Sequence, residues 1–282
     1  MDWLDRMNNA MEYIETNLAD HISYDQIAQI ACCSTYHFQR MFPFITGVSL
    51  SEYIRRRRLT LAAFELQTTD AKVIDVAMKY GYDSPEAFSR AFKNLHGMIP
   101  MSARDKGASL KAYPRMSFHI SIKGDVEMNY RVEQRGPFEM FGVYGLVHSN
   151  RQTAFAEVPE FRKKCDDDGS VDLMNELLGR FGDTLLHAAL YDDNGESFKY
   201  MICYHLPKGL EIPEKFTKLS VPALTWAIFP EPQCDLQKLW ERIYSEWFPT
   251  SGYEQVEGPS FEMYYGMAGY EAGEIWIPVK KK

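Results

Sequence analysis

No stretch of this sequence approaches the roughly 20 consecutive apolar residues that a membrane-spanning helix requires. Nor does it open like a secretory leader: MDWLDRMNNAMEYIE is acidic and amphipathic, where a leader is basic and then apolar. A cytoplasmic location is expected. Cysteine is scarce and badly placed for cross-linking. Its five copies are an odd number, none forms a CxxC pair, and the neighbours Cys32 and Cys33 cannot easily bridge each other. Together with His37 they offer too few zinc ligands at poor spacing. Reduced thiols are expected, with no metal and no cofactor. A nucleophile elbow is missing too, and an enzyme is not expected.

A surplus of positive charge is also absent. The net charge is −8, unevenly spread: residues 1–115 hold 14 Lys+Arg against 13 Asp+Glu, and residues 116–282 hold 17 against 26. The acidic second half repels phosphate, so any nucleic-acid binding belongs to the first half.

What the sequence does contain is a repeat. HFQRMF, residues 37–42, and AFSRAF, residues 87–92, lie fifty residues apart. Phe38 matches Phe88, Arg40 matches Arg90 and Phe42 matches Phe92. Ser34 and Ser84 precede the two segments at one offset, and Gly47 and Gly97 follow as helix stops. Each segment ends a helix–turn–helix, with the turns near Cys32 and at Gly81. Ser23 with Gln26 reads as a capping box, Asp70 as the cap of a helix over 71–80, and Ser84-Pro85-Glu86 as a helix start. Phe38, Met41 and Phe42 face one way; Tyr36, Gln39 and Arg40 face the other. On the second helix Phe88, Ala91 and Phe92 oppose Glu86, Ser89, Arg90 and Lys93. Such a face suits the major groove, where Gln pairs with adenine and Arg with guanine or phosphate. Joined by a long helix over 51–66, two units would enter successive grooves about 34 Å apart, and one monomer would read an asymmetric site. The RRRR run at 55–58 circles that helix, mostly as a solvated face, with one or two members free to meet phosphate.

These residues resemble the DNA-binding domain of AraC-type transcription regulators, the MarA, SoxS and Rob group. YHFQRMFPFITGVSLSEYIRRRRL and VAMKYGYDSPEAFSRAFKNLHGMIP carry the likeness, in order and at the right separation. It implies DNA contacts from Ser34, Thr35, Tyr36, Gln39 and Arg40 on the first helix. On the second it implies Ser84, Glu86, Ser89, Arg90 and Lys93. Cys32 stands where the family usually has a small glycine, and Glu86 would repel phosphate or accept from a cytosine amino group.

Beyond Tyr113 the texture changes to β-type stretches interrupted by helices near 154–165, 174–181 and 236–247, an α+β arrangement with two similar halves. YRVEQRGPFEMFGVYG, LWERIYSEWFPTSGYEQVEGPSFEMY and EIWIPV resemble the GyrI-like effector-binding domain of multidrug-sensing regulators. The resemblance implies duplicated strand–helix–strand–strand units around a ligand cleft. The fold class expected is therefore multidomain: an all-α double helix–turn–helix domain at 1–107, a linker at 108–115, and an α+β GyrI-like domain at 116–282. Glu262 alternates with Phe261 and Met263, and a carboxylate among aromatics favours flat lipophilic cations. The family associates its position with cationic ligands. Tyr264, two residues on, shares its face; Trp226 lines the opposite half by pseudo-symmetry, with Tyr144 and Trp276 as further lining. The function expected is a ligand-responsive bacterial regulator, an activator that binds double-stranded DNA, a small-molecule effector and RNA polymerase. The alternatives are a small-molecule hydrolase using Glu262 as general base, or a domain that binds a protein partner.

Overall fold

A computed structural model of the chain describes residues 3–105, 107–118, 127–149, 151–179, 186–265 and 271–282. It divides into two compact units. The first holds residues 1–35 and 50–122, the second 36–49 and 123–282.

The first unit is helical: α1 (Trp3–Thr16), α2 (Tyr24–Ile30), α4 (Leu50–Thr68), α5 (Val73–Lys79) and α6 (Pro85–His96), followed by a 3₁₀ turn over Pro100–Arg104. The stripe Met7, Ala10, Met11 and Ile14 buries one side of α1, as three- and four-residue spacing requires. Phe88 and Phe92 of α6 pack with Leu59, Ala62 and Leu66 of α4 and Val76 and Ala77 of α5. Truncating either phenylalanine would cost about 3–5 kcal/mol. Ser23 caps α2 by accepting from the Gln26 amide, and Ser84 caps α6 by accepting from the Ala87 amide. Asp70 caps nothing. Helix α5 starts later than its sequence suggests, with Lys72 at its N-cap and no side-chain cap, because Arg104 donates to the carbonyls of Thr69 and Ala71 and holds that segment as a turn.

The RRRR run is spent largely on structure. Arg57 forks onto Glu15 and also donates to the Tyr113 carbonyl, 2.6 Å away. Arg58 donates to the carbonyls of Leu18 and Asp20 just beyond α1. Arg55 and Arg56 both pair with Glu52. The end of the expected linker, and the residues just beyond it, are likewise strapped to this unit. The Tyr113 amide donates to Thr60 Oγ1, that of Met116 to Tyr53 Oη, and that of Phe118 to Asn8 Oδ1, whose own amide returns to the Phe118 carbonyl.

The second unit contains α3 (Thr35–Thr46, from residue 36) and an antiparallel sheet. Its strands are β1 (Arg131–Arg135), β2 (Phe138–His148), β3 (His187–Tyr191), β4 (Ser197–His205), β5 (Thr217–Val221), β6 (Leu224–Glu231), β7 (Tyr253–Gln255), β8 (Ser260–Tyr265) and β9 (Ala272–Lys281). Their order is β1-β6-β9-β8-β3-β4-β2-β5, with β7 pairing β9. The order reads alike from both ends. Strands β3, β4 and β2 form one half and β8, β9 and β6 the other, joined where Ala188 of β3 faces Glu262 of β8. The stretch 218–229 is two strands, broken at Pro222, and they join different neighbours: β5 pairs β2 and β6 pairs β1. Helices α7 (Arg151–Asp167), α8 (Ser170–Leu178) and α9 (Leu236–Arg242) complete the unit, α9 running on through a π turn at Ile243–Trp247. The end of the expected helix near 174–181 lies outside the described residues.

The two helix–turn–helix turns differ in one respect. Gly81 adopts φ +79°, and Cys32, at the corresponding turn, adopts φ +54°. A left-handed residue with a Cβ costs about 1–2 kcal/mol, and glycine's extra unfolded-state freedom returns about 0.5–1 kcal/mol of that. Cys32→Gly should therefore stabilise the chain by about 0.5–1 kcal/mol in urea unfolding. Gly81→Ala should destabilise it by about 1–2 kcal/mol or more, since its Cβ would lie 2.7 Å from Arg58 Nη1.

Candidate functional site

The twin segments differ in exposure. On α6 the buried side chains Phe88, Phe92 and His96 form a single stripe. Glu86, Arg90 and Lys93 are exposed and Ser89 is half-buried. Ser84 is occupied in capping. This helix keeps a free polar face carrying two cations. On α3, His37, Phe38, Arg40, Met41, Phe42 and Pro43 are all buried, which covers the helix on every side. Gln39 remains half-buried, Ser34 immediately precedes the helix, and Thr35 donates to Asp25 at 2.6 Å. Arg40 is neither solvated nor on a free face: it forms an ion pair with Asp193. Burial works against its charge, but Asp193, Tyr244 and Tyr36 more than offset that and hold its pKa above the ordinary value. Tyr36 donates to the Gly258 carbonyl at 3.4 Å. His37 Nδ1 accepts from the Gln255 amide at 3.1 Å, against the ring of Phe248.

In the sheet, period-two alternation sorts the five expected ligand residues onto two faces. Glu262 and Tyr264 share the face covered by helices. There Glu262 accepts from Trp240 Nε1 at 2.8 Å, from Tyr264 at 2.5 Å and from Tyr200 at 3.2 Å. Arg162 of α7 completes the cluster, 3.6 Å from Glu262 and bonded to both tyrosines. Its guanidinium lies 4.3 Å from the Tyr264 ring centre. Burial opposes the Arg162 charge, while Tyr200, Tyr264 and Glu262 raise its pKa; burial first, and then Glu262, pushes both phenols up. Gly145 lets α7 come this close, since a Cβ there would meet the Phe161 ring at 2.8 Å.

Trp226 and Trp276 belong to the other face, in a core with Phe261, Met263, Met201 and Cys203. The pairing of Trp276 with both Phe261 and Ile228 fixes that side. A cavity of about 250 Å³ opens there, lined by Arg135, Gly136, Pro137, Phe138, His205, Phe261, Met263 and Trp276. Trp226 is fully buried behind it, 5.6 Å from Phe261 and 6.0 Å from Trp276 between ring centres. Tyr144 stands apart, exposed on β2 with Lys199 over its ring. Arg135 stacks on Trp276 at 4.8 Å, and burial, with Arg135 second, lowers the His205 pKa. The carboxylate on this side is Glu274, which accepts from Trp276 Nε1 and Tyr265 and pairs with Arg131. Burial opposes its charge and Arg131 more than compensates, so its pKa is lowered. Alternation in EIWIPV places Glu274 with Trp276, a signal available from sequence. Arg162 and Trp240 leave no comparable local signal. Among the described residues no cluster of side chains could hold a metal ion, and no helix is long and apolar enough to cross a membrane.

Comparison with known proteins matches two separate families along the chain. Residues 27–106 match a helix-turn-helix domain family, and residues 128–280 match the GyrI-like small molecule binding domain. The chain is 46% identical over 94 residues to the HTH-type transcriptional activator AarP of Providencia stuartii, covering 33% of this chain and 70% of that protein. It is 38% identical over 96 residues to the regulatory protein SoxS of Salmonella typhimurium, covering 34% and 90%. A solved structure of SAV2435 bound to tetraphenylphosphonium is 19% identical, covers 54% of this chain and 94% of that one, and has a TM-score of 0.45. The class is thus a transcription regulator with a DNA-binding domain of the AraC type. Within it, the chain belongs to the GyrI-like family through its second half.

Arg162→Met should destabilise the chain by about 3 kcal/mol by leaving a largely buried carboxylate unpaired, and Arg162→Met with Glu262→Gln should recover part of that in a double-mutant cycle. A second expectation concerns pH. Burial, aided by Lys282, lowers the His37 pKa to about 4. Between the ordinary imidazole value of about 6.5 and about 4, the unfolded chain binds a proton that the folded chain refuses. The His37 share of stability therefore falls with pH across that window, by about 3 kcal/mol, and levels off below it. Urea midpoints for His37→Gln should show a correspondingly shallower acid slope than the wild type.

Proposed function

We propose that the protein is a ligand-responsive activator that reads DNA through α6 and α3 and takes up a lipophilic small molecule in its sheet unit. The observation that carries the DNA reading is the free face of α6, where Arg90 and Lys93 stand exposed beside Ser89 above the stripe Phe88, Phe92 and His96. The likeness to AarP, an activator, supports activation. An activator engages RNA polymerase, and Phe64 and Met78, 65% and 67% exposed on the helical unit, offer apolar surface for a protein partner.

For the effector, the cavity beside Trp276 is the better supported place. Its walls are apolar and aromatic with few polar groups, as small-molecule sites are. Arg135, which also pairs with Glu133, and a neutral His205 at its edge suit a neutral or acidic lipophile. The second reading, a lipophilic cation at Glu262, is favoured by the box of Tyr200, Tyr264 and Trp240 around that carboxylate. There Arg162 already holds the cation position, and a ligand cation would have to displace it.

Fluorescence titration with an anilinonaphthalene sulfonate and with a rhodamine-type cation separates the two. Saturable binding of the anionic dye, weakened in Arg135→Gln and unchanged in Glu262→Gln, is expected. Saturable cation binding lost in Glu262→Gln would instead select the second reading, and no binding of either dye would leave a protein partner as the occupant. For DNA, Arg90→Ala and Lys93→Ala should each weaken binding to a selected duplex. Each should also flatten the salt dependence by roughly 0.9 in log–log slope for every phosphate no longer neutralised. Unchanged affinity and slope in both would remove α6 from the interface.

A further inference from the structure

Of the two matched helices, the one that lacks a free face is α3, and the groups that cover its polar side belong to the sheet unit. Arg40 pairs with Asp193, Tyr36 donates to the Gly258 carbonyl, and His37 accepts from the Gln255 amide. Phe44 stacks on Tyr244 at 4.3 Å, with the rings 12° apart, and on Trp240 at 5.5 Å. These partners come from three separate stretches of the chain, Asp193, Trp240 with Tyr244, and Gln255 with Gly258, so the surface is assembled by the fold rather than by one loop.

Asp193 is held in position for this contact. It lies in the β3–β4 loop beside Asp192, which takes the left-handed φ of +52°. Its Oδ1 accepts from Ser149 Oγ at 3.0 Å and from the Gly195 amide at 2.7 Å, while Oδ2 meets Arg40. A carboxylate oxygen on a guanidinium offers the charge and acceptor geometry that a phosphate oxygen offers. We infer that this surface of the sheet unit, built from Asp193, Gly258, Gln255, Tyr244 and Trp240, is an intramolecular dock for α3 that competes with DNA for the same side chains. The inference rests on the reading of α3 as a DNA-contacting helix.

The competition follows from occupancy. One guanidinium cannot serve Asp193 and DNA at once, so apparent DNA affinity is the intrinsic affinity scaled by the undocked fraction. The docked state also leaves a cost in place: Arg40 Nε is buried with no hydrogen-bond partner among the described residues. Trp240 ties the dock to the carboxylate cluster, because it stacks on Phe44 and donates to Glu262. A ligand that binds the two arrangements of Trp240 unequally would shift the docking equilibrium.

The test uses the full chain and a fluorescent duplex enriched from a random pool separately by the wild type and by Asp193→Asn, with anisotropy read at one fixed salt concentration. Asp193→Asn keeps the Oδ1 acceptor and removes the charge. Asp172→Asn, on the exposed side of α8, removes the same charge elsewhere. Asp193→Asn should bind roughly tenfold tighter than the wild type, a typical coupling, while Asp172→Asn matches the wild type. Adding Arg40→Ala to Asp193→Asn should abolish the gain. Equal affinity of Asp193→Asn and wild type, with unchanged near-ultraviolet circular dichroism, overturns the dock and leaves DNA reading by α6 intact. A gain that survives Arg40→Ala also overturns it, by assigning the effect to net charge. If neither protein enriches any duplex, the underlying DNA-reading assignment fails instead.

Discussion

A carboxylate beneath a layer of helices persists only if its charge is met, and in the sheet unit Arg162 meets it. The rest of that face is arranged around this contact. Gly145 lets α7 approach the strand. Tyr200 and Tyr264 bond both the guanidinium and the carboxylate, and Trp240 ties α9 to the same carboxylate. Three donors and one cation on a single carboxylate make a network in which no member can move alone. The other face needs no such device. Its interior is almost wholly apolar and aromatic, and its acid, Glu274, sits toward the rim with Arg131 half-exposed beside it. One sheet thus carries two chemically distinct sides, separated only by the alternation of side chains.

Much of this is legible in the sequence, where the determinants are local. The two helix–turn–helix units follow from Phe38 with Phe42 and Phe88 with Phe92, closed by Gly47 and Gly97, both with positive φ. The Ser84-Pro85 start of α6 follows from capping chemistry. Alternation alone pairs Tyr264 with Glu262. What escapes a sequence reading is set by distant partners. Arg104 overrides the helix start that Asp70 suggests, from more than thirty residues away. Arg162 reaches Glu262 across one hundred residues. Trp226, expected to line the half of the cleft opposite Glu262, instead faces the core on the other side of the sheet, because β6 pairs with β9 in the register that sets Ile228 against Trp276. The burial of Arg40 has no local signature at all, because its motif is shared with Arg90, which is exposed.

That contrast between Arg40 and Arg90 shows how little of a helix's role lies in the helix. The matched positions Phe38 and Phe88, and Phe42 and Phe92, do the same work in both segments, anchoring an apolar side. The polar positions diverge only because one helix meets Asp193, Gly258 and Tyr244 and the other meets solvent. A repeated sequence fixes the repeated scaffold; the environment then assigns each copy its own state.

The palindromic strand order has a consequence for how the second unit came about and how it holds together. Each half lends its leading strand to the other: β1 closes the edge of β6, and β5 closes the edge of β2. This is the wiring of a strand-exchanged homodimer fused into a single polypeptide. Neither half is a self-sufficient module, since separation would strip a paired edge from both. The halves are therefore free to diverge in sequence, as Glu262 facing Ala188 across the junction illustrates, but not to part.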